Sequence, residues 1–320
     1  MLVMREKEAK IRQMVDICEQ YYLKGKNQQD IADSLGLSRP SVSRLLTQAR
    51  MEGIVTITVH NPYSDEQRYA SLLEQRFGLH KVIVTNVPET DANAFALAQA
   101  EAATYLLDCE LRNGDILGVM GGITLNKISS MIGKINRQNI TVVPLIGGWG
   151  PSSAMWQANL NVRNFGERWN CQYYQLNAPA ILSSATSKDA LLKEPEIHSI
   201  LSLGAQSNVA LVGIGNVDET SSIFNAGLLT PNDLKHLHEI NIVASICNFF
   251  LNSEGEIVNF IDPSRTIGIE TDQLRRVPRV IATANGTNKA SAIAAALKGR
   301  WIDTLITDQE TAQHVLALTE

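Results

Sequence analysis

The stretch QQDIADSLGLSRPSVSRLLT, residues 28–47, decides the reading of this chain. Its apolar positions Ile31, Leu35, Leu37, Val42 and Leu45 predict two short helices that share a core, with the small Ala32 where they cross. Gly36 falls at the turn between them, which needs a left-handed backbone that glycine adopts without strain. Ser38 is a good N-cap for the second helix, and Pro40 sits in its first turn, where an amide hydrogen has no helical partner to lose. This spacing is that of a helix-turn-helix, the unit that lays its second helix in the major groove of DNA. Arg39, Ser41, Ser43 and Arg44 fall on the outer face of that helix. With Gln28 and Gln29, at the start of the first helix, they form the candidate DNA-contacting set.

Outward from this motif, residues 5–24 read as a preceding helix, with Ile11, Val15, Cys18 and Tyr22 at helical spacing. After it, GIVTITVH at 53–60 reads as a strand or wing with a β-branched alternation. Residues 1–60 are therefore expected to form a winged helix-turn-helix, closed by turn signals at Asn61-Pro62 and Ser64-Asp65. A helix at 65–77 leads away from it, as a spacer or a dimerisation arm. Charge follows the same division: residues 1–60 carry a net +2, residues 61–320 a net −7, and the whole chain −5. A weakly basic head on an acidic body excludes a protein that coats nucleic acid along its length and confines DNA contact to the head.

Four cysteines, Cys18, Cys109, Cys171 and Cys247, lie far apart with no CxxC spacing. That argues against a zinc site or a disulfide framework and for a reducing cytoplasm. His236 and His238, two residues apart, suit a solvated helix end better than a metal site. The start, MLVMREKEAKIRQ, lacks the apolar run of a secretion signal, and no segment approaches the ~18–20 apolar residues of a membrane span. The expectation is a protein with no cofactor, no metal and no membrane partner.

Beyond residue 80, strands and helices alternate. Strands are expected at 80–87, 115–121, 140–148, 173–179, 208–215, 241–250, 279–286 and 303–308, with helices at 91–109, 122–132 and 158–169. Val- and Ile-rich strands each followed by a helix predict a largely parallel sheet covered on both faces, a Rossmann-like α/β domain spanning 61–320. Ligands of such sheets bind at the carboxyl ends of the strands. Four of those ends carry glycine-rich loops: Gly121-Gly122-Ile123-Thr124, Gly147-Gly148-Trp149-Gly150, Gly213-Ile214-Gly215-Asn216 and Asn285-Gly286-Thr287-Asn288-Lys289. A glycine-rich helix start holds an anion on its backbone amides, and Lys289 adds a positive charge. Together the loops favour a phosphorylated small molecule.

These motifs, in this order, resemble the SorC family of bacterial transcriptional regulators. The resemblance rests on the head YYLKGKNQQDIADSLGLSRPSVSRLLTQARMEGIVTITV and on VMGGITL, VVPLIGGWG with Gln157-Ala158-Asn159, LNAPA, ALVGIG, NGTNKASAIAAAL and LITDQETA. It implies a DNA-binding head joined to a sugar-binding domain related to sugar-phosphate isomerases, an effector that is a sugar or sugar phosphate, and a homo-oligomer, commonly a tetramer. Carried over by position, Gly121, Gly122 and Thr124 match a phosphate-holding loop, Gln157 a polar contact to the effector, and Lys289 a phosphate-binding lysine. Gly147, Gly148 and Ser245 complete the candidate effector set. Two departures stand out. Ser245 occupies a position where many members carry an acid that grips sugar hydroxyls. Ile146 stands where the members that bind a bisphosphate carry an arginine, which argues for a singly phosphorylated or unphosphorylated sugar.

Trp149 and Trp156 have two readings, stacking on a sugar ring or packing on the domain or a neighbouring subunit. Asp308 reads as the cap of the last helix rather than a catalytic group. The competing function is an isomerase-like enzyme with an accessory DNA-binding domain. Aldose–ketose isomerisation needs a carboxylate or similar base beside the reacting carbons, and Ser245 removes one candidate. The reading is therefore a regulator whose partners are operator DNA, a sugar or sugar-phosphate effector and further copies of itself.

Overall fold

A computed structural model describes residues 2–57, 64–87, 90–150 and 155–319. Contacts divide the chain into two compact units, residues 1–60 and 61–320.

The first unit is helical. Helix α1 (Leu2–Cys18) runs into a π-helical turn at Glu19–Leu23, where a continuous α-helix was expected. The wider turn coincides with a buried Gln20, whose amide donates to Asp16 at 3.1 Å and accepts from Lys26 at 2.9 Å. Helix α2 (Gln28–Leu35) is capped by Asn27, whose side chain accepts from the amides of Gln29 and Asp30. Gly36 follows with φ +65° and donates back to the Ala32 carbonyl. Helix α3 (Arg39–Met51) starts at Ser38, whose hydroxyl accepts from the Ser41 amide. It ends in a Schellman pair, with Ile54 N–H bonded to Ala49 O at 2.8 Å and Gly53 N–H to Arg50 O at 3.3 Å.

Ile31, Ala32, Val42, Leu46 and Ala49 are buried with Met14, Ile17 and Cys18. The seam of α3 is Val42, Leu46 and Ala49; the expected Leu45 is half-buried at its margin, as are Leu35 and Leu37. Residues 53–57 form no strand, and the rest of the expected wing, 58–60, lies outside the described residues.

The second unit opens with α4 (Asp65–Phe77), followed by β1 (Lys81–Thr85), α5 (Ala92–Glu110), β2 (Ile116–Val119), α6 (Ile123–Met131) and β3 (Thr141–Pro144). Next come α7 (Ala158–Trp169), β4 (Gln172–Tyr173), α8 (Ala185–Leu192), α9 (Pro195–Ala205), β5 (Val209–Gly213) and β6 (Gly215–Asn216). Then follow α10 (Ser222–Asn225), α11 (Pro231–Glu239), β7 (Ile242–Ile246), β8 (Phe249–Asn252), β9 (Ile257–Val258) and α12 (Thr271–Arg276). The chain closes with β10 (Arg279–Thr283), α13 (Ala290–Lys298), β11 (Thr304–Asp308) and α14 (Gln309–Leu318).

Seven strands form one parallel sheet in the order β1-β11-β10-β5-β2-β3-β4. The inner strands are apolar nearly throughout, and β11 is buried along its whole length, as a strand covered on both faces must be. Edge strand β1 alternates instead, with Val82 and Val84 buried.

Three strand expectations change. The run 241–250 is not one strand of the parallel sheet but the hairpin β7–β8. It turns at Cys247, which adopts φ +52°, and it belongs to a separate antiparallel sheet β6-β7-β8-β9. The run 208–215 is shared: β5 ends in the large sheet at Gly213, and Gly215–Asn216 joins the small one. The expected strand at 173–179 contracts to the two-residue edge β4.

Candidate functional site

The two candidate sites lie in separate units. On α3, burial of Val42, Leu46 and Ala49 turns the opposite face outward. Arg39 and Arg44 are exposed, and Ser41 and Ser43 are half-exposed between them. Ser38 and Ser41 hydroxyls meet at 2.9 Å, and Arg44 Nη2 reaches Ser41 Oγ at 3.5 Å. Among the described residues neither Arg39 nor Arg44 stands in an ion pair, so both guanidinium forks are available to phosphate or guanine edges. Gln29 is exposed and bonded to Asp33, and Gln28 is half-buried at the start of α2.

The second site follows from strand order. From β2 the chain steps outward to β3 and β4; from β5 it steps the other way, to β10 and β11. The crevice between the carboxyl ends of β2 and β5 is thus a topological switch point, where open parallel sheets bind ligands. A cavity of about 180 Å³ opens there, lined by the loops after β2, β5 and β10 and by β6 and β7. This is below the ~300–1,000 Å³ of drug-sized sites, so it suits a small molecule.

Gly121, Gly122, Thr124, Ser245 and Lys289 of the expected set come together around this cavity, and Trp149 lines it too. Gly122 has φ +131° and gives its N–H to the Trp156 carbonyl at 2.8 Å. The amides that remain for an anion are those of Ile123, Thr124 and Leu125, the first turn of α6, which has no side-chain cap. The loop is held from behind. Buried Asn161 donates to the Met120 carbonyl at 3.0 Å and accepts from Asn126 and Ser129. On the other side, Asp308 caps α14 through the Thr311 amide at 2.8 Å and also accepts from Gly286 N–H at 3.1 Å. The expected cap thus also anchors the loop that carries Lys289. Among the described residues that line the cavity, Lys289 alone bears a formal charge.

Gly147, Gly148 and Gln157 are not among the lining residues. Gly147 is pressed against backbone: a Cβ there would stand 2.7 Å from Ala178 O and 2.8 Å from Ala180 N. Gln157 donates to Gly150 O at 3.0 Å and faces Gly148, bracing that loop. Ser245 stands opposite Gly215, where a Cβ would lie 2.6 Å from its hydroxyl. Of the two tryptophans, Trp149 is buried and its indole N–H donates to Asn248 Oδ1 at 3.4 Å. Asn216, Thr220, Ser221, Ser222 and Thr283 also line the cavity and were not in the expected set. Asn216 closes the third glycine loop, and the signal for Thr220, Ser221 and Ser222 was their hydroxyl-rich run a few residues past it.

Comparison with known proteins bears on both sites. Residues 61–317 match the family described as "Putative sugar-binding domain", and residues 28–55 match "Bacterial regulatory proteins, crp family". The deoxyribonucleoside regulator of Bacillus subtilis is 31% identical over 302 residues, covering 94% of this chain and 96% of its own. The sorbitol operon regulator of Klebsiella pneumoniae is 28% identical over 308 residues, covering 96% and 98%. The crystal structure of that full-length regulator, SorC, superposes with a TM-score of 0.73 over 96% of this chain and 99% of its own.

Proposed function

The chain belongs to the SorC family of sugar-binding transcriptional regulators, and on that premise we propose that a sugar phosphate in the β2–β5 cavity controls its grip on the operator of a carbohydrate-utilisation operon. Arg39, Ser41, Ser43 and Arg44 contact the operator, with Gln28 and Gln29 at its margin. The effector's phosphate rests on the first turn of α6 and on Lys289, with Gly121, Gly122 and Thr124 shaping its seat. The observation that carries this reading is the convergence of three uncapped helix amides and one lysine on a small cavity at the switch point. Gly147, Gly148 and Gln157 act by bracing the Trp149 loop.

One recognition helix reads only a few base pairs, so operator specificity requires paired half-sites and a homo-oligomer. The protein works in the cytoplasm with its DNA. No helix among the described residues is long and apolar enough to cross a membrane. We read the protein as a regulator rather than an enzyme, in line with relatives that bear the names of transcriptional regulators.

The test is a thermal-shift screen of pentose and hexose phosphates and the parent sugars, followed by operator gel shifts with those that bind. A sugar phosphate that raises the melting temperature and changes operator affinity supports the reading. Binding of sugars alone removes the phosphate, and turnover of a bound sugar phosphate would establish an enzyme instead.

A further inference from the structure

In the wall of the cavity, β6 places Asn216, which is only 4% exposed. Its Nδ2 is fully used. It donates to Asp218 Oδ2 and to Thr220 Oγ1, the latter at 3.3 Å. Asp218 is itself fixed in place, with Oδ1 accepting from the Thr220 amide at 2.7 Å and from the Thr220 hydroxyl at 2.6 Å. Because a carboxylate only accepts, the amide of Asn216 must keep its NH₂ toward Asp218. The carbonyl Oδ1 then faces away from Asp218. It has no partner among the described residues, yet it is not one of the sealed, unsatisfied atoms, so it stays open to the cavity. The other lining side chains with polar atoms are hydroxyls, the Trp149 indole and Lys289, and no second amide or carboxylate oxygen lines the cavity among the described residues.

We infer that Asn216, oriented by Asp218, is the specificity-determining acceptor of the cavity and selects effectors that present a hydroxyl donor to it. This rests on the sugar-phosphate reading above. The cavity then divides its labour between two kinds of group. The α6 amides and Lys289 take the anion, and Asn216 takes a hydroxyl and rejects a deoxy carbon, a carbonyl, or a second phosphate. A hydroxyl there replaces the hydrogen bond that Oδ1 makes to water, whereas an acceptor-only group leaves both oxygens unpaired. Asp218 is the positioning residue. Asparagine at 218 would let either end of the Asn216 amide face it, and the acceptor would no longer be the only choice presented to the ligand.

The experiment uses the full chain and calorimetry. The tightest binder of a pentose and hexose phosphate panel is compared with its monodeoxy analogues, each lacking one hydroxyl, in the parent, Asn216→Leu and Asp218→Asn proteins. In the parent, loss of one particular hydroxyl is expected to weaken binding about tenfold, the size of one hydrogen bond that leaves its partner unpaired. In Asn216→Leu that difference should vanish, with the full sugar phosphate and that analogue binding within about twofold of each other. Asp218→Asn should show an intermediate ratio. The readout is a ratio within one protein, so a general weakening of the fold, which lowers both affinities, does not imitate it. Persistence of the same deoxy penalty in Asn216→Leu, or a parent indifferent to every hydroxyl, overturns the inference while leaving the sugar-phosphate reading intact. Failure of every sugar phosphate to bind the parent overturns both.

Discussion

Lys289 is the one formally charged side chain among the described residues that line the β2–β5 cavity. It is N-terminal to α13, on a loop tied down by the bond from Gly286 to Asp308, in a different compact unit from the recognition helix. Lys289→Ala should therefore bind operator like the parent and lose about 1.5–3 kcal/mol of affinity for a phosphorylated effector, the size of a charge-assisted hydrogen bond. Calorimetry with the tightest-binding sugar phosphate checks this, and equal affinities would take Lys289 out of the site. Arg44 makes the reciprocal case. Arg44→Ala should cost about 1–3 kcal/mol in operator binding and leave effector affinity alone, measured by gel shift on the cognate operator. The cysteines differ by environment. Burial lifts the Cys247 thiol to about 12 and the Cys171 thiol to about 11, whereas Cys109 is exposed. A thiol reagent at pH 8 should label Cys109 in the folded protein and Cys247 only after unfolding, since in the fold Cys247 is buried and its thiol is held protonated. At this scale Gly121, Thr124 and Lys289 were legible because each belongs to a short motif whose chemistry is local. Asn216 was not, because its value comes from Asp218 and Thr220 fixing its amide and from a cavity that three strand ends build.

Among the elements, two glycines show opposite physics. Gly36 ends α2 at φ +65° with no atom within 4 Å of where a Cβ would stand, so Gly36→Ala pays only backbone strain, about 1–2 kcal/mol. Gly147 has no such strain, but a Cβ there meets backbone at 2.7 Å, so Gly147→Ala must push apart the strand-like contacts at 178–180. That overpacking should cost about 1–3 kcal/mol and loosen the Trp149 loop. Thermal melting of each variant should show the head destabilised by the first and the larger unit by the second. Helix starts and stops on and around the recognition motif were readable because Ser38, Gly36 and Gly53 act within one turn of chain. The β7–β8 hairpin was not: NIVASICNFF carries neither glycine nor proline, and its turn rests on Cys247 holding a left-handed backbone while its amide points at Met120 Sδ, 3.3 Å away. The turn's one turn-forming residue, Asn248, stands alone in a β-prone run.

For the whole molecule, the proposal joins two units through an equilibrium. An effector shifts operator affinity only by its differential affinity for the operator-competent and incompetent states, typically ~1–3 kcal/mol, or about 5–150-fold. Reciprocity then requires operator to change effector affinity by the same factor, which calorimetry with and without operator would show; unequal factors would rule out a simple linkage. Sedimentation should find at least a dimer at micromolar concentration, since a monomer presents one half-site reader. The amino-acid sequence by itself determined that a helix-turn-helix begins the chain and that alternating strands and helices follow, because caps, turn glycines and hydrophobic period act over a few residues. It also marked Lys289, the one formally charged residue among the described residues that line the cavity. Only the tertiary structure decided which glycine loops share a cavity. Strand order sets β5 between β2 and β10, so the loops of Gly121, Gly213 and Lys289 converge. It leaves Gly147 and Gln157 as supports, because adjacency in a parallel sheet is fixed by long crossovers and not by neighbours in the chain.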